Sequence, residues 1–256
     1  MLRSLVGSEM CIRDSPKAAL RQAANYVDSV ANSDISRVDD VSRNAEFTRR
    51  LLRSYARHQG AQVSVNTIYD DLEKNRMGSM SEDTIASYIV ALKKIFVIED
   101  MPAWSPNLRS KTAIRTSDTR YFVDSSIAAA ALGLGPEDLI GDLNTFGLLF
   151  ETMVVRDLRV YADALDGQVY HYRDKNGLEC DAVVHLRNGC FGLIEIKLGS
   201  DRLIESGAHT LKRLSDKIDT TRMKSASFLM VITGQGQYAY RREDGVYVVP
   251  IGCFKD

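Results

Sequence analysis

Asp181 and Glu195 are hard oxygen donors of the type that holds a divalent cation, and Lys197 follows Glu195 by two residues. Glu195 and Lys197 lie in the run LIEIKL (Leu193 to Leu198), where strand alternation sends both to one face and Ile194, Ile196 and Leu198 to the other. Alone, a Glu-x-Lys on an amphipathic strand reads as a solvated pair. Asp181 on the preceding strand changes that if the two strands pair in one particular register. The turn between them holds Arg187, Asn188 and Gly189. A two-residue Asn-Gly turn would pair 187 with 190 and send Asp181 and Glu195 to opposite faces. A three-residue loop with Gly189 left-handed pairs 186 with 190, hence 181 with 195 and 179 with 197. Only the second register gathers Cys180, Ala182, Val184, Leu186, Cys190, Gly192, Ile194, Ile196 and Leu198 on a face without a polar side chain, so the hydrophobic pattern predicts it. Facing carboxylates repel, and a bound cation is the natural compensation, with oxygen donors favouring Mg2+ or Mn2+. Glu151, one helical turn from Gly147, Leu148, Val154 and Val155, is a candidate third carboxylate. The alternative for it is a boundary salt bridge to Lys197 or Arg173.

The elements that must position these groups follow from periodicity. A helix over Leu143 to Leu165 presents Phe146, Leu149, Phe150, Met153, Leu158 and Tyr161 on one side. Strands follow at Val169 to Arg173, Glu179 to Leu186 and Cys190 to Leu198. An amphipathic helix through Leu203, Ile204, Gly207, Leu211, Leu214 and Ile218 leads to an apolar strand, Phe228 to Ile232, and to shorter pieces at Tyr238 to Arg241 and Val246 to Pro250. Short turns make the first three strands antiparallel, and the helical crossover makes Phe228 to Ile232 parallel to its predecessor. The first half reads differently. Helices are predicted at Pro16 to Asn32, Glu46 to His58, Val65 to Glu73 and after the capping Ser81, with strands at Phe96 to Glu99 and Arg120 to Asp124. Three short helices and a two-stranded wing over residues 42–124 have the order of a winged helix-turn-helix. The fold class expected is α/β (α+β), a winged helix-turn-helix followed by a mixed sheet with flanking helices. Residues 16–41 are expected to be a helical connector from, or a remnant of, a preceding domain, and 125–256 the second domain.

Composition excludes several classes. The 256 residues hold 33 Lys+Arg against 34 Asp+Glu, a net charge of -1, so nucleic-acid binding must be local. The local candidates are Arg109, Lys111, Arg115 and Arg120, which make Ser105 to Tyr121 basic enough for a wing that touches phosphates; a solvated hairpin is the alternative. The longest apolar runs are far short of a membrane span. Four cysteines without a CxxC pair support neither a disulfide framework nor a zinc ribbon and fit a cytoplasmic protein. The four histidines have no ligand spacing, and Trp104 reads as a packed aromatic or as a nucleic-acid stacking platform.

Glu151 on a helix, Asp181 on the second strand and Glu195-x-Lys197 on the third resemble the PD-(D/E)XK nuclease signature, with Cys180-Asp181 in place of the proline-aspartate pair. More widely, DISRVDDVSRN (34–44), RTSDTRYFVD (115–124), FETMVVRDLRVYA (150–162), YRDKNGLECDAVV (172–184) and LIEIKLG (193–199) resemble the C-terminal half of a prokaryotic family of predicted AAA-type ATPases, whose tail is a domain of unknown function. The resemblance implies a restriction-endonuclease-like sheet with Asp181 and Glu195 holding Mg2+ or Mn2+, helped by Glu151, and with Lys197 orienting or deprotonating the attacking water. DNA is the partner it implies. ATP enters only through an upstream domain, because no G-x-x-x-x-G-K-[ST] loop occurs in this chain. The run LVGSEMCIRDS (5–15) resembles a translated adapter from transposase-based sequencing libraries, so residues 1–15 are expected to be foreign to the fold and the chain truncated there. The other function expected is a non-enzymatic module of the ATPase that binds DNA, a protein partner or itself.

Overall fold

The computed structural model describes residues 15–39, 41–73, 81–106 and 117–254. The adapter-like string lies outside these residues apart from Ser15, as do Arg109, Lys111 and Arg115. The chain is a mixed α+β protein of two compact units, one of residues 1–99 and 120–149, the other of residues 100–119 and 150–256.

The first unit is helical. α1 (Pro16–Asn32), α2 (Ala45–Arg57), α3 (Val65–Glu73) and α4 (Glu82–Lys94) occupy the predicted spans, and α5 (Ser125–Leu132) and α6 (Pro136–Gly141) follow. Side-chain caps set where they start: Asn44 Oδ1 accepts from Phe47 N at 2.8 Å, Ser81 Oγ from Thr84 N at 3.2 Å and Asp124 Oδ1 from Ser126 N at 2.7 Å. Val30, Ile35, Leu51, Leu52, Tyr55, Ile68, Ile85, Leu92, Ile98, Phe122 and Ala128 form one core.

Three expectations change here. Residues 16–41 are not a connector, because α1 packs on α2 and α5 and buries Val27 and Val30 in that core. The boundary expected at residue 125 moves as well, since α5 contributes Ile127 and Ala128 to the first core. The strands expected at Phe96 to Glu99 and Arg120 to Asp124 shrink to an isolated antiparallel bridge, Ile98 with Phe122. Phe96, exposed at φ 54°, explains the first: a left-handed residue after the helix end turns the chain where an extended run was expected.

In the second unit, helix α7 (Leu143–Asp163), which begins in the first unit, buries Phe150, Val154, Val155, Leu158 and Ala162. β1 (Gly167–Arg173), β2 (Glu179–Leu186), β3 (Phe191–Lys197), β4 (Phe228–Thr233), β5 (Tyr240–Arg241) and β6 (Tyr247–Pro250) form one sheet in the order β1-β2-β3-β4-β6-β5. The first three are antiparallel neighbours, and β3, β4 and β6 run parallel, as the crossover helix α8 (Asp201–Lys217) requires. Ala208, Leu211 and Leu214 of α8 pack with Val183, Leu193 and Val231 on one sheet face. Over residues 182–185 the β2–β3 register is the predicted one: Ala182 pairs with Ile194 and Val184 with Gly192, across a turn in which Leu186 N donates to Cys190 O at 2.8 Å and Gly189 has φ 80°. The expected pairs of 181 with 195 and 179 with 197 are not part of this ladder, and Cys180, expected on the opposite face, packs in the same core as Val183 and Leu193.

A Cβ added at Gly189 would meet nothing within 4 Å, so a substitution there tests backbone strain alone. Gly189→Ala is expected to lower the unfolding free energy by about 1–2 kcal/mol in urea titration. An unchanged midpoint would contradict the turn geometry.

Candidate metal and phosphodiester site

The site forms where two central strands part. The β2–β3 ladder ends at Ala182 and Ile194, and the next inward-facing donor on β3, Ile196 N, bonds to a side chain instead: Asp181 Oδ2, at 2.7 Å. Asp181 thereby stands in for a strand carbonyl at the point of divergence and projects to the same side as Glu195. Lys197 Nζ lies 3.0 Å from Asp181 Oδ2 and 2.8 Å from Glu195 Oε2. The three predicted residues Asp181, Glu195 and Lys197 therefore meet in one ion-paired cluster.

Burial grades the cluster. Glu195 is 5% exposed, whereas the Asp181 and Lys197 side chains keep 20% and 24% of their surface. α8 provides the cover, and Gly207 is where it comes closest: a Cβ there would sit 3.3 Å from both Glu195 Cβ and a Val231 methyl. Gly207 lies on the apolar stripe of α8, and the sequence signal for its role was a glycine where that stripe calls for a large side chain.

Burial first, and then the Asp181 charge, push the Glu195 carboxyl up to about 8, although Lys197 and a hydrogen bond from the Asp181 backbone pull the other way. Burial works against the Lys197 ammonium too, but Asp181 and Glu195 outweigh it and raise its pKa, so the lysine stays charged at neutral pH. Cys180 is fully buried, its Sγ 3.3 Å from the carbonyls of Ala182 and Ile194. Burial, then Glu195 and Asp181, drive its thiol well above the ordinary range, so it is a packing residue and not a nucleophile.

The remaining candidates separate from this cluster. Glu151 is half-buried on α7, and among the described residues no group of three or more His, Cys, Asp or Glu is arranged to hold a metal ion. The expected three-carboxylate set is thus not assembled. Arg173, one proposed partner of Glu151, pairs with Glu179 at 3.1 Å. Arg120 is buried in the first unit, its Nε donating to Val63 O at 3.0 Å and its backbone bonded to Gly60 and Ala61, which takes it away from a phosphate-binding surface. Trp104 packs in the second core, 5.0 Å from the Phe191 ring, and is no exposed stacking platform. His171 is buried, and desolvation lowers its pKa to about 4, leaving it neutral.

The donor set fits a hard divalent cation in part. Two carboxylates on adjacent strands match the one or two protein carboxylates with which Mg2+ is held alongside water and phosphate oxygens. The two carboxylates share a single lysine, and the Glu195 carboxyl is raised by burial first and then by the Asp181 charge.

Residues 146–254 match the model of a domain of unknown function (DUF4143). The chain belongs to the family described as a domain of unknown function (DUF8612), whose model matches residues 9–138, just over half its length. The first match begins inside the adapter-like string, and the step between the two falls at residues 139–145, nearer the observed unit boundary than residue 125. No curated protein and no solved structure matches the chain. Among the described residues, no helix is long and apolar enough to cross a membrane.

Glu195 holds its proton more tightly folded than unfolded. Its contribution to stability is therefore complete below pH 4.5 and is lost as pH rises to about 8. Glu195→Gln removes that loss. In metal-free buffer the variant is expected to gain on the order of 2–4 kcal/mol over the native chain between pH 5 and pH 8.5. A stability difference independent of pH would show that the carboxyl is not strained by its surroundings.

Proposed function

We propose that the second unit is a PD-(D/E)XK nuclease-like domain that hydrolyses phosphodiester bonds in DNA with Mg2+ or Mn2+. In this reading it is preceded by a winged-helix-like domain, as the C-terminal portion of a predicted AAA-type ATPase. The observation that supports this best is the pairing of Asp181 and Glu195 at the divergence of β2 and β3, with Lys197 between them. Asp181 and Glu195 would hold the ion, which when bound supplies Lewis-acid polarisation of the scissile phosphate. Lys197, kept charged by its neighbours, faces the anionic phosphoryl oxygens and stabilises their developing charge rather than acting as a base. The Glu195 carboxyl, raised to about 8 by burial and then by Asp181, would have to be ionised to serve as a ligand, so ion binding would release its proton to solvent. Gly207 lets α8 close over the pair and limits water.

A second reading, a degenerate nuclease fold retained for binding DNA or a protein partner, has its own support: two carboxylates are assembled rather than three, and Lys197 already partners both. A cleavage assay on single- and double-stranded DNA with Mg2+ or Mn2+, run beside metal-binding calorimetry, separates the two. Under the nuclease reading Lys197→Ala keeps metal affinity and loses about 100-fold or more in rate, and Asp181→Asn weakens metal binding. Metal binding without cleavage by the native chain would favour the second reading, and absence of metal binding would end the first.

A further inference from the structure

On the sheet face opposite the carboxylate pair, a cavity of about 450 Å3 opens between the end of α7 and the central strands. Leu158 and Ala162 from the helix face Val184, Ile194, Phe228 and Met230 from β2, β3 and β4. The strand register places these last four on one face: Val184 pairs with Gly192 and Gly192 with Phe228, while Ile194 pairs with Met230. Gly192 leaves the floor bare, so the Phe228 ring lies directly on it; a Cβ there would fall 2.1 Å from a ring carbon. Water in such a space finds few of the two to four polar partners it needs, and an unfilled apolar void forfeits packing. The interior suits a hydrocarbon body.

The rim is different. Cys190 borders the cavity, and Lys224 Nζ sits 3.5 Å from its Sγ and 3.0 Å from Asn188 O. Among the described residues Lys224 forms no ion pair with a carboxylate. Lys224 itself lines a separate cavity of about 590 Å3 with Arg187, Arg222, Asp163 and Asp166, so charged groups stand beside the Cys190 edge while the apolar cavity's own lining carries none.

We propose that this cavity binds a linear amphiphilic anion, a medium-chain carboxylate, with its chain against Ile194 and Met230 and its head group at Lys224. The site is independent of the phosphodiester reading. Calorimetry of the full chain with octanoate, decanoate and dodecanoate below their micelle thresholds tests it. One site per chain is expected, with affinity rising roughly fourfold per added methylene until the cavity is full. Lys224→Gln, a change at an exposed position, is expected to weaken decanoate about tenfold and leave decanol unaffected. Ala164→Trp at the cavity edge should block both ligands. Absence of saturable decanoate binding, or equal decanoate affinity in the Lys224 variant, would overturn the assignment. Self-association in sedimentation that excludes decanoate would overturn it in favour of a second copy as the occupant.

Discussion

Glu195 is a carboxyl group held almost without water beneath a helix, and Lys197, two residues along the same strand, is what makes that position tenable. Removing one partner of a buried ion pair leaves an uncompensated charge, which costs about 3–5 kcal/mol in comparable cases. Here the lysine serves two acids at once, 2.8 Å and 3.0 Å away, so both carboxylates depend on it. The arrangement also needs a strand ladder that stops at Ala182, an Asp181 side chain taking the place of a backbone acceptor, and a helix that can approach closely because residue 207 is glycine. A sheet centre organised around strained charge is costly to stability, and perturbed titration of this kind is concentrated where chemistry is done.

The two units have different physical characters. The first is a helical core closed by caps and by edge-on aromatic packing, such as Tyr55 against Phe122 at 5.6 Å, and its stability rests on apolar burial. The second is a mixed sheet whose opposite faces do different things: one carries the charged cluster beneath α8, the other an apolar cavity beside α7. The chain leaves the first unit at residue 99 and returns at residue 120, and in that excursion Trp104 enters the second core while its backbone N–H donates to His171 O. A linear division of the sequence into domains misses such a crossing.

Much of the second unit was legible from pattern. Period-two alternation on either side of Arg187-Asn188-Gly189 admits only one register with a wholly apolar face, and that register holds from Ala182 to His185; at Asp181 the ladder has ended, and its side chain reaches Ile196 N and Lys197 Nζ. The spans of α1 to α4 and of α7 followed equally from spacing and capping residues, because those signals are local.

Tertiary structure decided the rest, for reasons that are not local. Whether α1 is a tether or a core element depends on what meets Val27 and Val30, and the alanines around them look the same in either case. Arg120 reads as a surface cation until the chain folds its guanidinium against the Val63 carbonyl. Gly207 acquires its meaning only from the Glu195 side chain beneath it, and the apolar cavity exists only because a helix and three strands fail to fill the space between them. Periodicity states which face of an element is apolar. What that face meets is set by the packing of segments far apart in the chain, and so is the water it excludes; on those two quantities the charge of Glu195 depends.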